Sequence, residues 1–311
     1  MPDNSVQTYD ENRLSNLLVL GNGFDLDLGY KTSYKDFVNN GFEPDYGQFP
    51  FVKGGCFHGL GGYVCAATCA NWYDLENVLA AFGEHYAKIA EIDHNKEEYA
   101  LLVDRLTRYL TNIDYSHPTK DSVAARLLRA LCDCVVPFET YTFNYTDLVV
   151  IGDALDLDVN SATHVHGSLK ENNIILGVGD YTNLDSSSDF LYKTSNNNYR
   201  ATELIFDLGA FDNIYIFGLS LSSVDYPYFE DLFKKIASGV EDRQRKKNIR
   251  IFTYDDKSKM DILRNLRRMN SGMIRLRNYA DLDIVRTKDN IDEAKVSAII
   301  NKILTEWEID V

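Results

Sequence analysis

Short apolar runs that end in glycine or in polar residues recur along the chain and predict strands. LLVL (17–20) runs directly into Gly21 without polar alternation, which is typical of a buried strand in a parallel sheet. Five later runs are rich in Ile, Val, Thr, Tyr and Phe and predict further strands: ETYTF (139–143), THVH (163–166), IILGV (174–178), IYIF (214–217) and IRIFTY (249–254).

Apolar residues that recur at steps of three and four predict amphipathic helices between these strands. The predicted helices cover 74–89, 97–113, 120–135, 225–240 and 294–309. Gly239 stands where a helix C-terminal cap belongs. The order of elements predicts an α/β fold with a mostly parallel sheet. We expect a polar segment over 1–16 and a single α/β domain over 17–311, with an inserted helical block at about 70–136.

The chain has 311 residues and a formal charge of −15. This charge argues against a general nucleic-acid binder, because affinity for phosphates depends on Lys and Arg. Residues 241–278 depart from the balance, with 12 Lys or Arg against 5 Asp or Glu. This region fits either a solvated face or a docking patch for a protein partner, an acidic ligand or nucleic acid.

The five cysteines form neither a CxxC pair nor a framework of secreted disulfides. We therefore expect a reduced, cytoplasmic protein without a zinc or other metal site. The polar N-terminus lacks the apolar stretch of a signal peptide, and no run of about 20 apolar residues predicts a membrane span. The candidate chemistry lies instead in the loops after the strands.

The first strand ends in Gly21-Asn22-Gly23, with Asp25 two residues further on. At the carboxyl end of a parallel strand, glycine allows backbone N–H groups to approach a phosphate closely. The third glycine of a dinucleotide fingerprint is missing, because Leu26 stands there, and the lysine of a P-loop is also absent. The stretch is therefore a candidate diphosphate loop, with a plain tight turn as the alternative.

Three other predicted strands also end in small or polar residues. TFNYTD (142–147) ends with an amide and hydroxyls, IFGLSLSSVDYP (216–227) continues into glycine and serines, and THVHGSL (163–169) holds two histidines. On a strand His164 and His166 would share a face, with His166 closer to the mouth of a pocket. Asp225 is expected first as a helix N-cap and second as a pocket residue. Together these strand ends predict one ligand-binding edge of one sheet.

The order of these motifs resembles a known family. GNGFDLDLGYKTSYKDF (21–37) is similar to the opening signature of the bacteriophage abortive infection family AbiH, and WYDLEN (72–77) resembles a second, weaker signature. FNYTD, HVHGSL and FGLSLSSVDYPYF resemble a degenerate sirtuin-like, Rossmann-type NAD-binding core. The resemblance runs from about Leu17 to the region of Asp255, which is most of the chain.

The resemblance implies a role for each matching position. Asn144 matches the asparagine beside the nicotinamide ribose, and His166 matches the histidine that contacts this ribose, so both are the expected catalytic residues. The expected NAD-binding positions are Gly21, Asn22, Gly23, Phe24, Asp25, Thr32, Tyr34, Thr142, Gly218, Ser220 and Asp225. Trp72, Asp74 and Glu76 are expected to cap and seat the first helix of the inserted block.

The sequence departs from the sirtuin pattern at three points. Asp25 stands where sirtuins place a serine, and Thr146 stands where an aspartate is usual. Asp25 could face a ribose hydroxyl, accept backbone N–H groups, or hold the GYKTSY loop. No cysteine follows His166, so the paired-cysteine zinc module of deacylating sirtuins is missing. The resemblance therefore implies NAD cleavage rather than protein deacylation.

The chemistry of NAD cleavage suits an asparagine and a histidine. Nicotinamide leaves from a cationic pyridinium, so the site needs no strong acid but must support an oxocarbenium-like centre and present water. An asparagine could orient water with its carbonyl and bind a ribose hydroxyl with its NH₂. A histidine could take up a proton near neutral pH. The alternatives are that Asn144 forms a turn and that His166 is structural.

From the resemblance we expect an NAD+ glycohydrolase that acts in bacterial antiphage defence, with NAD as its substrate. Because unregulated NAD cleavage would be toxic, we expect control by homo-oligomerisation, by an activating protein partner, or by the loops between Lys31 and Tyr63. A sensor that binds NAD or ADP-ribose without turnover is the first alternative. An ADP-ribosyltransferase, with the basic region 241–278 as its docking surface, is the second.

Overall fold

The computed structural model describes residues 16–40, 52–53, 56–57, 60, 63–64, 72–86, 92–239, 246–270 and 272–305. Some predictions concern residues outside these ranges: the polar segment up to residue 15, two of the five cysteines (Cys65 and Cys69), and residues 241–245 and 271 of the basic region.

Six parallel strands form one sheet in the order β5-β4-β1-β6-β7-β8. Its strands are β1 Asn16–Leu20, β4 Phe138–Thr142, β5 Thr163–His164, β6 Asn213–Phe217, β7 Lys247–Thr253 and β8 Ala280–Arg286, and a separate antiparallel pair consists of β2 Val52–Lys53 and β3 Cys56–Phe57. Leu20 is level with Thr142 on one side and with Phe217 on the other. The carboxyl ends of the central strands therefore meet at one edge, and the predicted α/β class is confirmed.

Two strand predictions differ from the structure. IILGV (174–178) forms no strand, and its one ladder contact is a bridge between Val178 and Tyr192. The run is apolar because it is buried in a cluster with helices, where Ile174 and Leu176 pack. The edge strand β8, ADLDIVR, was not predicted, although its alternation of apolar and polar residues over 280–284 is typical of a half-buried strand.

The predicted helices are present with small shifts of their ends. The helices are α1 Asn22–Asp27, α2 Tyr34–Asn40, α3 Trp72–Ala81, α4 Ile92–Thr111, α5 Val123–Asp133, α6 Leu148–Ala154, α7 Ala201–Asp207, α8 Tyr226–Ser238, α9 Asp256–Asn270, α10 Met273–Tyr279 and α11 Glu293–Thr305. A π-helical turn, Phe82–Tyr86, continues α3. Gly239 closes α8 in the left-handed conformation, with φ 70°, as its cap position predicts. None of the helices among the described residues is both long and apolar enough to cross a bilayer.

Strand alternation sends apolar side chains to both faces of the sheet. Leu17 and Val19 pack in a cluster with α8, α9 and α10, whereas Leu18 and Leu20 pack in a second cluster with α5, α6 and α11. Helices therefore cover both faces, which explains why β1 is apolar throughout.

The helices of the predicted block at about 70–136 divide between two clusters. α5 packs on the sheet with α11, where Leu127, Leu128 and Leu131 are fully or almost fully buried. α3 and α4 instead pack with α2 and the segment around Leu191 in a third cluster that contains no residue of the six-stranded sheet. Part of the block is thus a layer of the sheet, and part is a separate helical wall.

Glycine at three positions lets the ends of β1 and β6 touch. Gly218 has φ +71°, and a Cβ on it would lie 2.4 Å from the Cα of Gly23. A Cβ on Gly23 would lie 2.5 Å from the Cα of Gly218, and one on Gly21 would lie 2.7 Å from the carbonyl oxygen of Gly218. Because backbone atoms form both sides of this contact, no rotamer change could make room for a side chain.

The Gly218→Ala variant should unfold more readily than the natural protein, by at least about 2 kcal/mol, because the new Cβ combines a strained left-handed φ with a clash against backbone. Gly209→Ala is the matched control, since a Cβ there meets no atom within 4 Å, and it should stay within about 0.5 kcal/mol. Urea denaturation followed by circular dichroism measures both. Equal stability of the two variants would contradict the packing argument.

Candidate functional site

A cleft of about 790 Å³ opens at the carboxyl edge of the sheet. It is lined by the loops after β1, β4, β6 and β7, by one side of α9, and by His166 after β5. The volume lies in the range of about 300–1,000 Å³ that is typical of small-molecule sites. The structure thus brings the polar strand ends together around one cavity.

The β1–α1 turn lines the cleft, but two of its backbone donors are already engaged. The N–H of Gly21 donates to the Phe217 carbonyl at 2.8 Å, and the N–H of Gly23 donates to the Gly218 carbonyl at 3.1 Å. Asn22 accepts a hydrogen bond from the Thr32 hydroxyl at 2.7 Å. The glycines are therefore explained by the contact between the loops, and these two N–H groups are not available to a diphosphate.

Asp25 is the most buried carboxylate of the cleft wall. Its Oδ1 accepts from the Asn144 Nδ2 at 2.8 Å, and its Oδ2 accepts from the Thr146 hydroxyl at 2.8 Å. Desolvation by burial raises the pKa of Asp25 to about 7, although the two hydrogen bonds oppose the shift. The carboxyl group is consequently poised to gain or lose a proton near neutral pH. It joins the β1–α1 turn to the loop after β4.

The amide of Asn144 has its orientation fixed by these contacts. Its Nδ2 also donates to the Gly21 carbonyl at 3.1 Å, so both amide hydrogens point to protein acceptors. The backbone N–H of Asn144 donates to the Thr142 hydroxyl at 3.0 Å. The expectation that the NH₂ binds a ribose hydroxyl is therefore wrong. The group that Asn144 has left for a ligand is its carbonyl oxygen Oδ1.

His166 lies in an aromatic nest at the same cleft. Its Nε2 is 3.0 Å from the Tyr228 hydroxyl, which in turn is hydrogen-bonded to the Tyr199 hydroxyl. The imidazole packs against Tyr199 in a stacked arrangement and against Phe143 edge to face. Burial, reinforced by the positive charge of Lys193, holds the pKa of His166 well below its usual value. The imidazole is thus neutral at physiological pH.

Contrary to the prediction from the sequence, His164 and His166 do not lie on one strand. β5 ends at His164, and His166 follows in a turn where its carbonyl accepts from the Ile175 N–H at 2.8 Å. Strand alternation therefore does not extend to His166. The Nδ1 of His164 lies 2.9 Å from the backbone carbonyl oxygen of Asn144, so this half-buried ring supports the loop after β4.

Asp225 lines the cleft but does not cap α8 with its side chain. Its carboxylate accepts from the Ser222 N–H at 2.8 Å and from the Ser220 hydroxyl at 3.0 Å. The turn through Leu221, with φ 48°, brings these donors to the carboxylate. Asp225 holds the expected N-cap position of α8, but its side chain completes a capping box with Ser222 at the preceding 3-10 turn instead of capping α8. Burial is the main cause that raises the pKa of Asp225 to about 6, and repulsion from the charge of Glu76 is the second cause.

Glu76 is a cleft residue that sequence reasoning assigned to helix capping. Its Oε1 forms a buried ion pair with Lys193 at 2.6 Å. Its Oε2 is buried without a hydrogen-bond partner among the described residues, and its side chain lines both the cleft and a neighbouring cavity of about 300 Å³. The sequence around Glu76 gave no sign of this role, because the other residues of the cleft wall come from segments far from α3 along the chain.

Three of the expected ligand positions lie outside the cleft lining. Phe24 is fully buried and packs edge to face on Phe217, and Tyr34 packs against Phe37 in the third cluster. Thr142 is also buried and supports Asn144 from behind. The other expected positions line the cleft: Gly21, Asn22, Gly23, Asp25, Thr32, Asn144, His166, Gly218, Ser220 and Asp225.

Part of the basic region 241–278 also forms the cleft wall. Lys257, Arg264 and Arg268 of α9 line it, close to Tyr254 at the end of β7. The sequence indicated an excess of positive charge here but not which side chains face a cavity. Among the described residues, no group of three or more His, Cys, Asp or Glu side chains is arranged to hold a metal ion.

Comparison with known proteins gave one match. A family model described as "Bacteriophage abortive infection AbiH" matches residues 17–242. This range includes every element of the cleft wall except β7 and α9. A search of curated proteins and a search of solved structures each found no match.

The buried Asp25 should make stability depend on pH. Because its folded pKa of about 7 lies above the unfolded value of about 3.9, its contribution is fully present below about pH 4 and is lost as pH rises to 7. Relative to the Asp25→Asn variant, the free energy of unfolding of the natural protein should fall by up to about 4 kcal/mol over this window. Above it, the two curves of stability against pH should be parallel. Urea unfolding at pH 5 to 9 covers the upper part of this window, where about 3 kcal/mol of the loss should appear, and parallel curves from pH 5 onward would contradict it.

Proposed function

The chain belongs to the bacteriophage abortive infection AbiH family, and we propose that it acts in abortive infection as a hydrolase that cleaves the nicotinamide–ribose bond of NAD. One observation carries this proposal: the fixed carbonyl of Asn144 and the neutral imidazole of His166 face one cleft beside the β1–α1 turn. The amide carbonyl of Asn144 is an acceptor, and with His166 Nε2 donating to Tyr228 the Nδ1 atom is an acceptor as well, which is what activation of a water molecule needs.

The proposed reaction uses few protein groups. The bond between ribose C1′ and the pyridinium nitrogen breaks, its electron pair leaves with neutral nicotinamide, and water oxygen forms a new bond to C1′. Asn144 Oδ1 would accept a hydrogen bond from this water and orient it. His166 would take the proton that the water loses, a role worth about 10²–10⁴ in rate for general-base catalysis. The products are nicotinamide, ADP-ribose and a proton.

Asp25 serves this chemistry as a positioning residue. Its carboxylate and the Gly21 carbonyl both require a donor, so they hold the Asn144 NH₂ and leave Oδ1 for the water. The bond from Thr146 fixes the carboxylate in turn. Without this arrangement the Asn144 amide could turn over and present hydrogens where the water needs an acceptor.

The two departures from the sirtuin pattern support the resemblance once they are placed together. Sirtuins have a serine at the position of Asp25 and an aspartate at that of Thr146, whereas this chain has the carboxylate and the hydroxyl exchanged. The two side chains are hydrogen-bonded at 2.8 Å. A hydroxyl–carboxylate pair across the two loops is therefore compatible with either order of residues.

A second candidate function is a sensor that binds the nucleotide without cleaving it. The low pKa of His166 favours this candidate, since a weaker base accepts a proton less readily. In either case activity has to be restrained in the uninfected cell, and we propose that self-assembly or a protein partner provides this control.

Incubation of the protein with NAD should release nicotinamide and ADP-ribose in equal amounts. Asn144→Ala and His166→Ala should each lower the rate at least about 100-fold, because each removes a group that handles the attacking water. His117→Ala is the control, since this exposed histidine lies outside the cleft, and it should cleave at the natural rate. Chromatography of the products measures all four proteins.

The product pattern separates the candidate functions. NAD that binds but stays intact with every tested partner would support the sensor and contradict the hydrolase. Nicotinamide released without free ADP-ribose, together with a modified macromolecule, would indicate transfer. Natural rates in the Asn144→Ala and His166→Ala variants would contradict the assigned roles.

Asp25→Asn should keep the fold and reduce kcat more than it raises KM. The new amide can pair with Asn144 in either orientation, so the water loses its fixed acceptor while the cleft keeps its shape. Asp25→Ala should in addition lose stability, because the Asn144 NH₂ would be left unpaired. Steady-state kinetics beside a thermal melt measure both. A change in KM alone for Asp25→Asn would contradict the positioning role.

A further inference from the structure

Three carboxylates of the cleft lie on other elements than its lysine and arginine side chains. Three carboxylates, which we call the acidic group, are Asp25 after β1, Asp225 after β6 and Glu76 of α3. The basic side chains that line the cleft among the described residues are Lys257, Arg264 and Arg268, all on α9 after β7. We call these three the basic face. Asp255 and Asp261 also line the cleft on the side of the basic face.

The basic face is one continuous stripe of α9. At about 100° per residue, Arg264 and Arg268 lie within about 20° of Lys257 around the helix, and the stripe is about 16 Å long. Asn265, on the same side, donates its Nδ2 to the Ser220 carbonyl at 3.2 Å. This bond ties α9 to the loop after β6, so the stripe belongs to the cleft wall.

The acids on α9 and just before it are committed to protein contacts, and Asp256 pairs with Arg286. Asp255 accepts from the Ser258 N–H and hydroxyl at the start of the helix, and Asp261 pairs with Arg264. Neither Lys257 nor Arg268 forms an ion pair with another described residue. These two cations are therefore available to an anionic ligand, and Arg264 retains guanidinium hydrogens beyond its bond to Asp261.

The phosphates of a nucleotide need such a site, since the Gly21 and Gly23 N–H groups already donate to the loop after β6. We propose that the basic face binds the phosphate groups of the nucleotide, and that its cationic or uncharged end lies beside the acidic group. This inference rests on the proposed nucleotide substrate and names how the cleft orients it. Pyridinium and diphosphate carry opposite charges, so the arrangement selects one direction of binding.

The test compares two double variants with the same change of charge on the same helix. Lys257→Met with Arg268→Met removes the two available cations of the basic face. Lys259→Met with Arg267→Met removes two cations of α9 that do not line the cleft. The probes are ADP-ribose, which carries the diphosphate, and nicotinamide riboside, which has no phosphate. Calorimetric titration at two salt concentrations gives the affinities.

The first double variant should bind ADP-ribose at least about tenfold more weakly, and the second should stay within about twofold of the natural protein. Affinity for nicotinamide riboside should be unchanged in both. Added salt should weaken ADP-ribose binding more for the natural protein than for the first variant. Equal losses in both double variants, or no binding of ADP-ribose to the natural protein, would overturn the proposal.

The outcomes also separate this inference from the proposed hydrolysis. If ADP-ribose binding depends on the basic face but NAD stays intact, the hydrolase proposal fails and the inference stands. If NAD is cleaved and the first double variant keeps the natural KM, the hydrolase proposal stands and the inference fails. In a protein for which both hold, this variant raises KM with kcat nearly unchanged.

Discussion

The buried carboxylate of Asp25 holds the two central loops of the site in one geometry. It accepts hydrogen bonds from Asn144 and Thr146, so the turn after β1 cannot move without the loop after β4. Burial of this group is costly, because a carboxylate loses its hydration there, and its pKa rises to about 7 as a result. This unfavourable burial occurs at the edge of the sheet where the cleft lies. In return, the hydrogen bond from Asn144 to Asp25 fixes the orientation of the Asn144 amide.

A second constraint acts through the backbone. The close contact of Gly23 with Gly218 places the ends of β1 and β6 side by side, and the N–H groups of this turn then donate to the neighbouring loop. In the usual dinucleotide site such donors face the phosphates. Here the glycines build the wall, and the lysine and arginine side chains that line the cleft come from α9. The cleft therefore has a cluster of lysine and arginine side chains on one wall, although the protein as a whole is strongly acidic.

Much of the fold was predictable because its signals are local. The strand at LLVL, the stripe of α8 and the cap at Gly239 each follow from neighbouring residues, and all were found in the structure. The prediction of a strand at IILGV was wrong because burial among helices gives the same apolar run as burial in a sheet. β8 was missed although its alternating residues are a local strand signal, because the prediction relied on continuous apolar runs. The side chain of Asp225 was assigned to a cap, although the nearby Ser222 N–H and Ser220 hydroxyl bind it.

The sequence by itself determined that several strands end in polar residues and that parallel pairing brings these ends to one edge. It could therefore name Asn144 and His166 as neighbours of one cleft. Only the tertiary structure decided how each polar group is oriented and paired, which contacts the amide of Asn144 makes, and that Glu76 and the basic face complete the wall. The physical reason is that a side chain's pKa and free hydrogen-bonding atoms depend on partners from distant segments. Residue order along the chain does not contain those distances.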